Sequence, residues 1–244
     1  MTAFQGAVDL GYRYLETDIR MSGDGVLMVF HDETLDRTTD GAGKLKARTR
    51  AELAELDAGH RFGSHEHPFR GQGIAIPTLD ELLLAYPDAV FSIDMKENGL
   101  EVLLAETIGR LNMWDRVIIG SFSGARVRRF RELVDHPVAT AAGPGEMARF
   151  LVNTRLGRAS RLISDSLQVP VMYGKITVVD RKTVTAAHAA FKQVIVWTIN
   201  DADEMRALLD LGVDGIITDR PDVLKNVMKQ RGTGGPWNEV GRHG

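Results

Sequence analysis

Glu16 and Asp18 stand two residues apart in the run Tyr14-Leu-Glu-Thr-Asp18. On a β-strand that spacing points both carboxylates to one face and sends Leu15 and Thr17 to the other. Two neighbouring anions repel, and a hard divalent cation between them resolves the repulsion. The competing reading is that one carboxylate pairs with an arginine while the other caps a helix. Phe91-Ser-Ile-Asp-Met-Lys96 repeats the device, with Asp94 and Lys96 on a shared face. Three carboxylates, a lysine and no thiol suit Mg²⁺ or Ca²⁺ holding a phosphate oxygen, with Lys96 as a second positive charge. By themselves, Asp94 and Lys96 also read as a surface ion pair. His31 and Asp32 close another apolar run. The imidazole there either transfers protons near neutral pH, with Asp32 or a neighbour fixing its tautomer, or is simply structural.

The remaining chemistry-bearing residues point to less. His60, His65 and His67 sit in a Gly-rich stretch and read as a solvated loop, while His136, His188 and His243 read as surface residues. Trp197-Thr-Ile-Asn200 places an aromatic and an amide at a strand end, for core packing or as a wall for the organic part of a substrate. No Gly-x-Gly-x-x-Gly, P-loop or Gly-x-Ser-x-Gly motif occurs, which leaves dinucleotide, NTP and serine-hydrolase chemistry without support. The absence of cysteine excludes disulfides, cysteine-ligated zinc and thiol nucleophiles. Thirty basic against 33 acidic residues leave a net charge of −3, with no polybasic footprint for nucleic acid or anionic membrane. No window approaches the roughly 18 apolar residues of a membrane span. The expected partner is therefore a small molecule and the expected compartment the cytoplasm.

The elements that must position these groups follow from periodicity. Short β-branched runs at Tyr12–Thr17, Val26–Phe30, Val90–Met95, Val117–Gly120, Val138–Ala141, Leu167–Val169, Val194–Thr198 and Gly215–Thr218 alternate with helical stretches, the pattern of a parallel α/β sheet. Thr49-x-x-Glu52 and Thr78-x-x-Glu81 are capping boxes. Asp201 opens a further helix and Gly212 stops it. The 244 residues and this single alternation favour a (β/α)₈ barrel over an open sheet. Only seven residues separate Asp18 from Val26, too few for a crossover helix, so Asp24-Gly25 is expected to turn a hairpin that sets Asp18 opposite His31. Residues 34–76 read as an insertion over the barrel mouth, 1–230 as one barrel domain, and 231–244 as a loose tail.

Glu16-x-Asp18, His31-Asp32, Asp94-x-Lys96, Ser121-Phe122 and Trp197-Thr-Ile-Asn200, in this order, resemble the glycerophosphodiester phosphodiesterase family of the PLC-like phosphodiesterase superfamily. Leu35-Asp-Arg-Thr-Thr39, Ile76-Pro-Thr-Leu79 and Asp214-Gly-Ile-Ile-Thr-Asp219 look like further landmarks, so the resemblance covers about Met1 to Asp222. It implies a TIM barrel hydrolysing glycerophosphodiesters to glycerol 3-phosphate and an alcohol, in glycerol and lipid metabolism. By the same resemblance Glu16, Asp18 and Asp94 are the metal ligands, His31 is one of two acid–base histidines, and Lys96 is a phosphate contact. Asp94 stands where relatives more often carry Glu, one methylene longer. The resemblance further implies a first strand ending in His-Arg-Gly, ahead of the helix matching Thr2 to Leu10. Those residues have no counterpart here, so a truncated family member of impaired activity is expected. The alternatives are a lysophospholipase D or sphingomyelinase D-like phosphodiesterase and a non-catalytic binder of phosphate ligands.

Overall fold

The computed structural model describes residues 1–63 and 66–232. The chain begins with α1 (Thr2–Asp9), β1 (Tyr14–Met21), β2 (Leu27–Val29), α2 (Arg50–Ala54), α3 (Leu79–Ala85) and β3 (Val90–Met95). Next come α4 (Glu101–Leu111), β4 (Val117–Gly120), α5 (Gly124–Leu133), β5 (Ala139–Thr140), α6 (Pro144–Arg155) and β6 (Ser166–Pro170). The last elements are β7 (Met172–Tyr173), β8 (Ile176–Thr177), α7 (Arg181–Ala189), β9 (Gln193–Trp197), α8 (Ala202–Leu211), β10 (Gly215–Ile216) and α9 (Pro221–Gln230). They fall into two compact units. One comprises Met1–Gly6, Tyr14–Val117 and Arg128–Pro137; the other comprises Ala7–Arg13, Ile118–Val127 and the described residues from Val138 onward.

In the first unit period two decides the architecture. β1 and β3 run parallel with Leu15 beside Phe91 and Asp18 beside Asp94. Leu15, Thr17 and Ile19 are buried on one face with Phe91, Ile93 and Met95, while Glu16, Asp18, Ser92 and Asp94 stay half-buried on the other. Each fully buried apolar side chain contributes about 1.5–3 kcal/mol, so a one-residue slip that exposed this row would be prohibitive. Both capping boxes form: the Thr78 hydroxyl accepts from the Glu81 amide and the Glu81 carboxylate accepts from the Thr78 amide, starting α3. The Thr49–Glu52 pair does the same for α2.

Strand β1 starts later and ends later than Tyr12–Thr17. Gly11, at φ 95°, ends the α1 turn, and β2 supplies antiparallel partners for Ile19 to Met21. The hairpin register also differs from expectation. Ile19 faces Val29 and Met21 faces Leu27, which continues to Asp18 opposite Phe30 rather than His31; the Phe30 amide donates to the Asp18 carbonyl at 3.0 Å. The cause is the loop, which holds three residues instead of two. Ser22 pairs with Val26, the Gly25 amide donates back to the Ser22 carbonyl, and Gly25 takes φ 84°.

The segment 34–76 has a core of its own. Leu35, Leu45, Leu53 and Ile76 are buried with Met28 of the hairpin. The hairpin tip docks on the same segment: the Gly23 amide donates to the Arg48 carbonyl, and a Cβ at Gly23 would lie 2.9 Å from the Lys46 carbonyl oxygen.

In the second unit β4 pairs parallel with β5, and β6, β9 and β10 form a parallel sheet in the order β10-β9-β6. Leu167, Val169, Val194 and Val196 pack with Val184 and Ala187 of α7 and Met205 and Leu208 of α8. Asp201 caps α8 through the amides of Asp203 and Glu204, and Gly212 ends it at φ 98°. The β7–β8 hairpin has no counterpart among the strands read from sequence. Its two-residue strands are exposed on both faces, so they carry no alternation. Of the expected tail, only Arg231 and Gly232 lie within the described residues. Among those residues no helix is long and apolar enough to cross a membrane.

Candidate functional site

The parallel register of β1 and β3 turns two separate strand-end motifs into one cluster. With Asp18 beside Asp94, the shared face carries Glu16, Asp18 and Asp94, and Lys96 follows two residues after Asp94 on the same side. The Lys96 ammonium lies 2.7 Å from Asp18 Oδ1 and 2.7 Å from Asp94 Oδ2. Burial would push this ammonium down, but the hydrogen bonds and charges of Asp18 and Asp94 outweigh it and hold Lys96 above the usual lysine value. Neighbouring β1 residues stiffen the site. Glu97 accepts from the Met21 amide and pairs with Arg20, whose Nε donates to the His31 carbonyl at 2.8 Å.

His31 follows the end of β2 and its side chain is largely exposed. Its Nδ1 lies 2.6 Å from Asp32 Oδ1, the tautomer-fixing contact expected of that pair. Arg37 grips Asp32 with both arms of its guanidinium, Nε to Oδ2 at 2.5 Å and Nη2 to Oδ1 at 3.0 Å. The Arg37 hydrogen bond, aided by the one from His31, holds the Asp32 carboxyl below the usual range against the opposing effect of burial. Sequence reasoning missed Arg37. It lies within the Leu35-Asp-Arg-Thr-Thr39 landmark, but no period links it to Asp32. The landmark also folds on itself, since the buried Thr39 hydroxyl donates to the Leu35 carbonyl and accepts from the Gly41 amide.

In the second unit Trp197 is half-buried at the end of β9. Its ring meets Phe122 edge-on at 5.5 Å, and Phe122 is 61% exposed, so the pair forms an apolar surface rather than core. Asn200 is committed to its own loop: it donates to Asp219 at 3.0 Å and accepts from the Asp219 amide and the Thr218 hydroxyl. His188, read as a surface residue, pairs at 2.9 Å with Asp214, which also accepts from the Val194 amide.

Among the described residues no three acidic or histidine side chains close into a ready-made metal cluster. Of the expected trio of Glu16, Asp18 and Asp94, the two aspartates are instead paired with a cation of the chain itself, Lys96. The donor chemistry nonetheless fits a divalent ion. Two carboxylates already converge on one cation at 2.7 Å, a third stands two residues back on the same face, and each carboxylate carries two acceptor oxygens.

The sequence profile of the glycerophosphoryl diester phosphodiesterase family matches residues 1–223. The chain belongs to this family. A Mycobacterium tuberculosis relative named "Probable glycerophosphodiester phosphodiesterase 2" is 39% identical over 237 residues, 95% of this chain and 85% of that protein. The crystal structure of a glycerophosphodiester phosphodiesterase from Agrobacterium tumefaciens superposes with a TM-score of 0.71 at 26% identity, covering 90% of this chain and 89% of that one. An Oleispira antarctica phosphodiesterase, solved in complex with the product sn-glycerol-3-phosphate, gives a TM-score of 0.69 at 25% identity over 93% of this chain and 89% of its own. The fold class is accordingly the α/β TIM barrel of the glycerophosphodiester phosphodiesterases, in agreement with the parallel pairings of both units.

Proposed function

We propose that the chain hydrolyses glycerophosphodiesters to glycerol 3-phosphate and an alcohol at the cluster of Glu16, Asp18, Asp94 and Lys96. The observation that carries this reading is the convergence of Asp18 and Asp94 on one cation, with a third carboxylate on the same strand face. Glu16, Asp18 and Asp94 would hold Mg²⁺ or Ca²⁺, which supplies charge neutralisation at the phosphoryl oxygens when bound. Lys96 brings a second positive charge to the phosphate.

Hydrolysis requires that one proton leave the attacking hydroxyl or water and that one reach the departing alkoxide. With Nδ1 of His31 committed to Asp32, Nε2 is the atom that takes or gives a proton. Arg37 holds Asp32 ionised and in place for that role. The second acid–base histidine and the phosphate-binding arginine implied by the family resemblance belong to a His-Arg-Gly motif not contained in residues 1–244.

The test is enzymatic release of glycerol 3-phosphate from glycerophosphocholine, in chelator and after adding Mg²⁺ or Ca²⁺. It is run on residues 1–244 and on a form bearing a His-Arg-Gly strand ahead of Met1. Metal-dependent release that disappears in Asp18→Asn supports the reading. An extended form that releases none with either metal defeats it.

A further inference from the structure

A lip of exposed apolar side chains set among unpaired cations projects from the second unit, and none of its residues belongs to the catalytic cluster. Its first part is the β7–β8 hairpin, where Met172, Tyr173 and Ile176 are exposed, Tyr173 by 74%, around a turn at Gly174 (φ 58°) and Lys175. Its second part is the outer face of α6. Arg149, Val152, Asn153 and Leu156 recur at helical spacing opposite the buried Met147 and Phe150, and Val152 and Leu156 are exposed where a solvated face would carry polar groups. Ile163, on the return to β6, is 68% exposed.

Two tethers bring these parts together. At the start of α6, Glu146 accepts from the amides of Ile163 and Ser164, just ahead of β6. At its end, Arg155 donates to the Thr177 carbonyl and pairs with Asp180, just beyond the hairpin. Helix α6, which packs on α7, is thus tethered at both ends, and its last turn arrives beside β8. The hairpin leaves the sheet immediately after Pro170, which pairs in register with Trp197. The lip thus stands at the strand end that carries Trp197.

Charge completes the pattern. Residues 143–177 hold five cations, Arg149, Arg155, Arg158, Arg161 and Lys175, against two acids, Glu146 and Asp165, within a chain of net charge −3. Glu146 is used by the Ile163 and Ser164 amides and Asp165 by the Thr140 amide. Arg155 is used by Asp180. Among the described residues no acid pairs with Arg149, Arg158, Arg161 or Lys175. An open groove of about 490 Å³, lined by Arg149, Asn153, Arg161 and Ile163, adjoins the exposed helix face.

We propose that this lip docks the chain on an anionic lipid bilayer. Met172, Tyr173, Ile176, Val152 and Leu156 enter the headgroup–acyl boundary, and Arg149, Arg158, Arg161 and Lys175 engage lipid phosphates. A protein partner fits less well. Two-residue strands offer little edge for strand addition, and Met172, Tyr173, Ile176, Val152 and Leu156 are exposed side chains, none of them in the lining of the groove. Docking places the strand end bearing Trp197 at the lipid surface.

The test is co-sedimentation of the purified full chain with vesicles of phosphatidylcholine alone and of phosphatidylcholine containing about one-third phosphatidylglycerol. It needs no turnover, so a failed hydrolysis assay leaves it intact. Binding to the anionic vesicles only, weakening as salt rises, is the expected result. Met172→Ser/Tyr173→Ser/Ile176→Ser should abolish it, and Arg158→Gln/Lys175→Gln should weaken it by about fivefold per cation removed. Melting temperature and hydrolysis of soluble glycerophosphocholine should stay at wild-type values in both variants. Absence of binding by the wild type at low salt overturns the proposal. So does undiminished binding by the hairpin variant, or a dimer in solution that this variant dissociates without any vesicle binding.

Discussion

Lys96→Met removes the ammonium that holds Asp18 and Asp94 together while keeping an apolar stem of similar length. Two charge-assisted hydrogen bonds of 2.7 Å are lost, each worth about 1.5–3 kcal/mol, and the two carboxylates are left facing each other. Their side chains remain 15–16% exposed, so water recovers part of that, and a net loss of about 2–4 kcal/mol is expected. For a chain of this size each kcal/mol corresponds to about 2–4 °C, giving a melting temperature lower by about 5–15 °C in chelator. If the same carboxylates bind a divalent cation, adding Ca²⁺ or Mg²⁺ should restore more stability to the variant than to the wild type. Only the wild type must give up its internal ion pairs to admit the ion. Thermal unfolding followed by circular dichroism, with chelator and with saturating metal, reads both quantities. Equal melting temperatures in chelator would show that the bridge carries no net stability. A metal-induced gain no larger in the variant would refute the claim that lysine and metal compete for one position.

Three further outcomes follow from the geometry. His31→Asn should lower kcat by about 10²–10⁴-fold with little change in melting temperature, because the ring is largely exposed; full activity would remove His31 from the mechanism. The folded-state value of Asp32 is depressed, so its bond to Arg37 contributes stability above the usual carboxylate range, near pH 4, and loses it as pH falls through the depressed value. The urea midpoint of Arg37→Gln should therefore fall below wild type at neutral pH and converge with it in acid, and a pH-independent deficit would contradict this. Leu35→Ala should cost about 2–5 kcal/mol in urea unfolding, since Leu35 is fully buried in the core under segment 34–76. A cost below about 1 kcal/mol would mark that segment as loosely packed.

The features that sequence fixed locally are those whose partners lie within a few residues. Thr78 with Glu81, Asp201 with the first turn of α8, and Gly212 at its end all form as read, because a cap is decided by one side chain and the amides beside it. Period two likewise assigned Glu16 and Asp18 to one face, and Asp94 and Lys96 to one face, before any strand was paired. Even so, an Asp-Gly pair did not determine the length of the hairpin loop. The third residue, Gly23, moved the register by one and set Phe30 opposite Asp18.

What only tertiary structure decided are contacts between segments far apart in the chain. The side-by-side placement of Asp18 and Asp94, 76 residues apart, follows from burying Leu15, Thr17 and Ile19 together with Phe91, Ile93 and Met95. That placement makes Lys96 the bridge of two carboxylates instead of a lone strand-end cation. The clamp of Arg37 on Asp32 crosses an irregular stretch where no period applies. A net charge of −3 averaged away the cations gathered with exposed apolar residues on α6 and the β7–β8 hairpin, because composition counts charges without their positions. Sequence determined the chemistry on offer and the faces that carry it. Packing of the buried faces determined which of those groups meet.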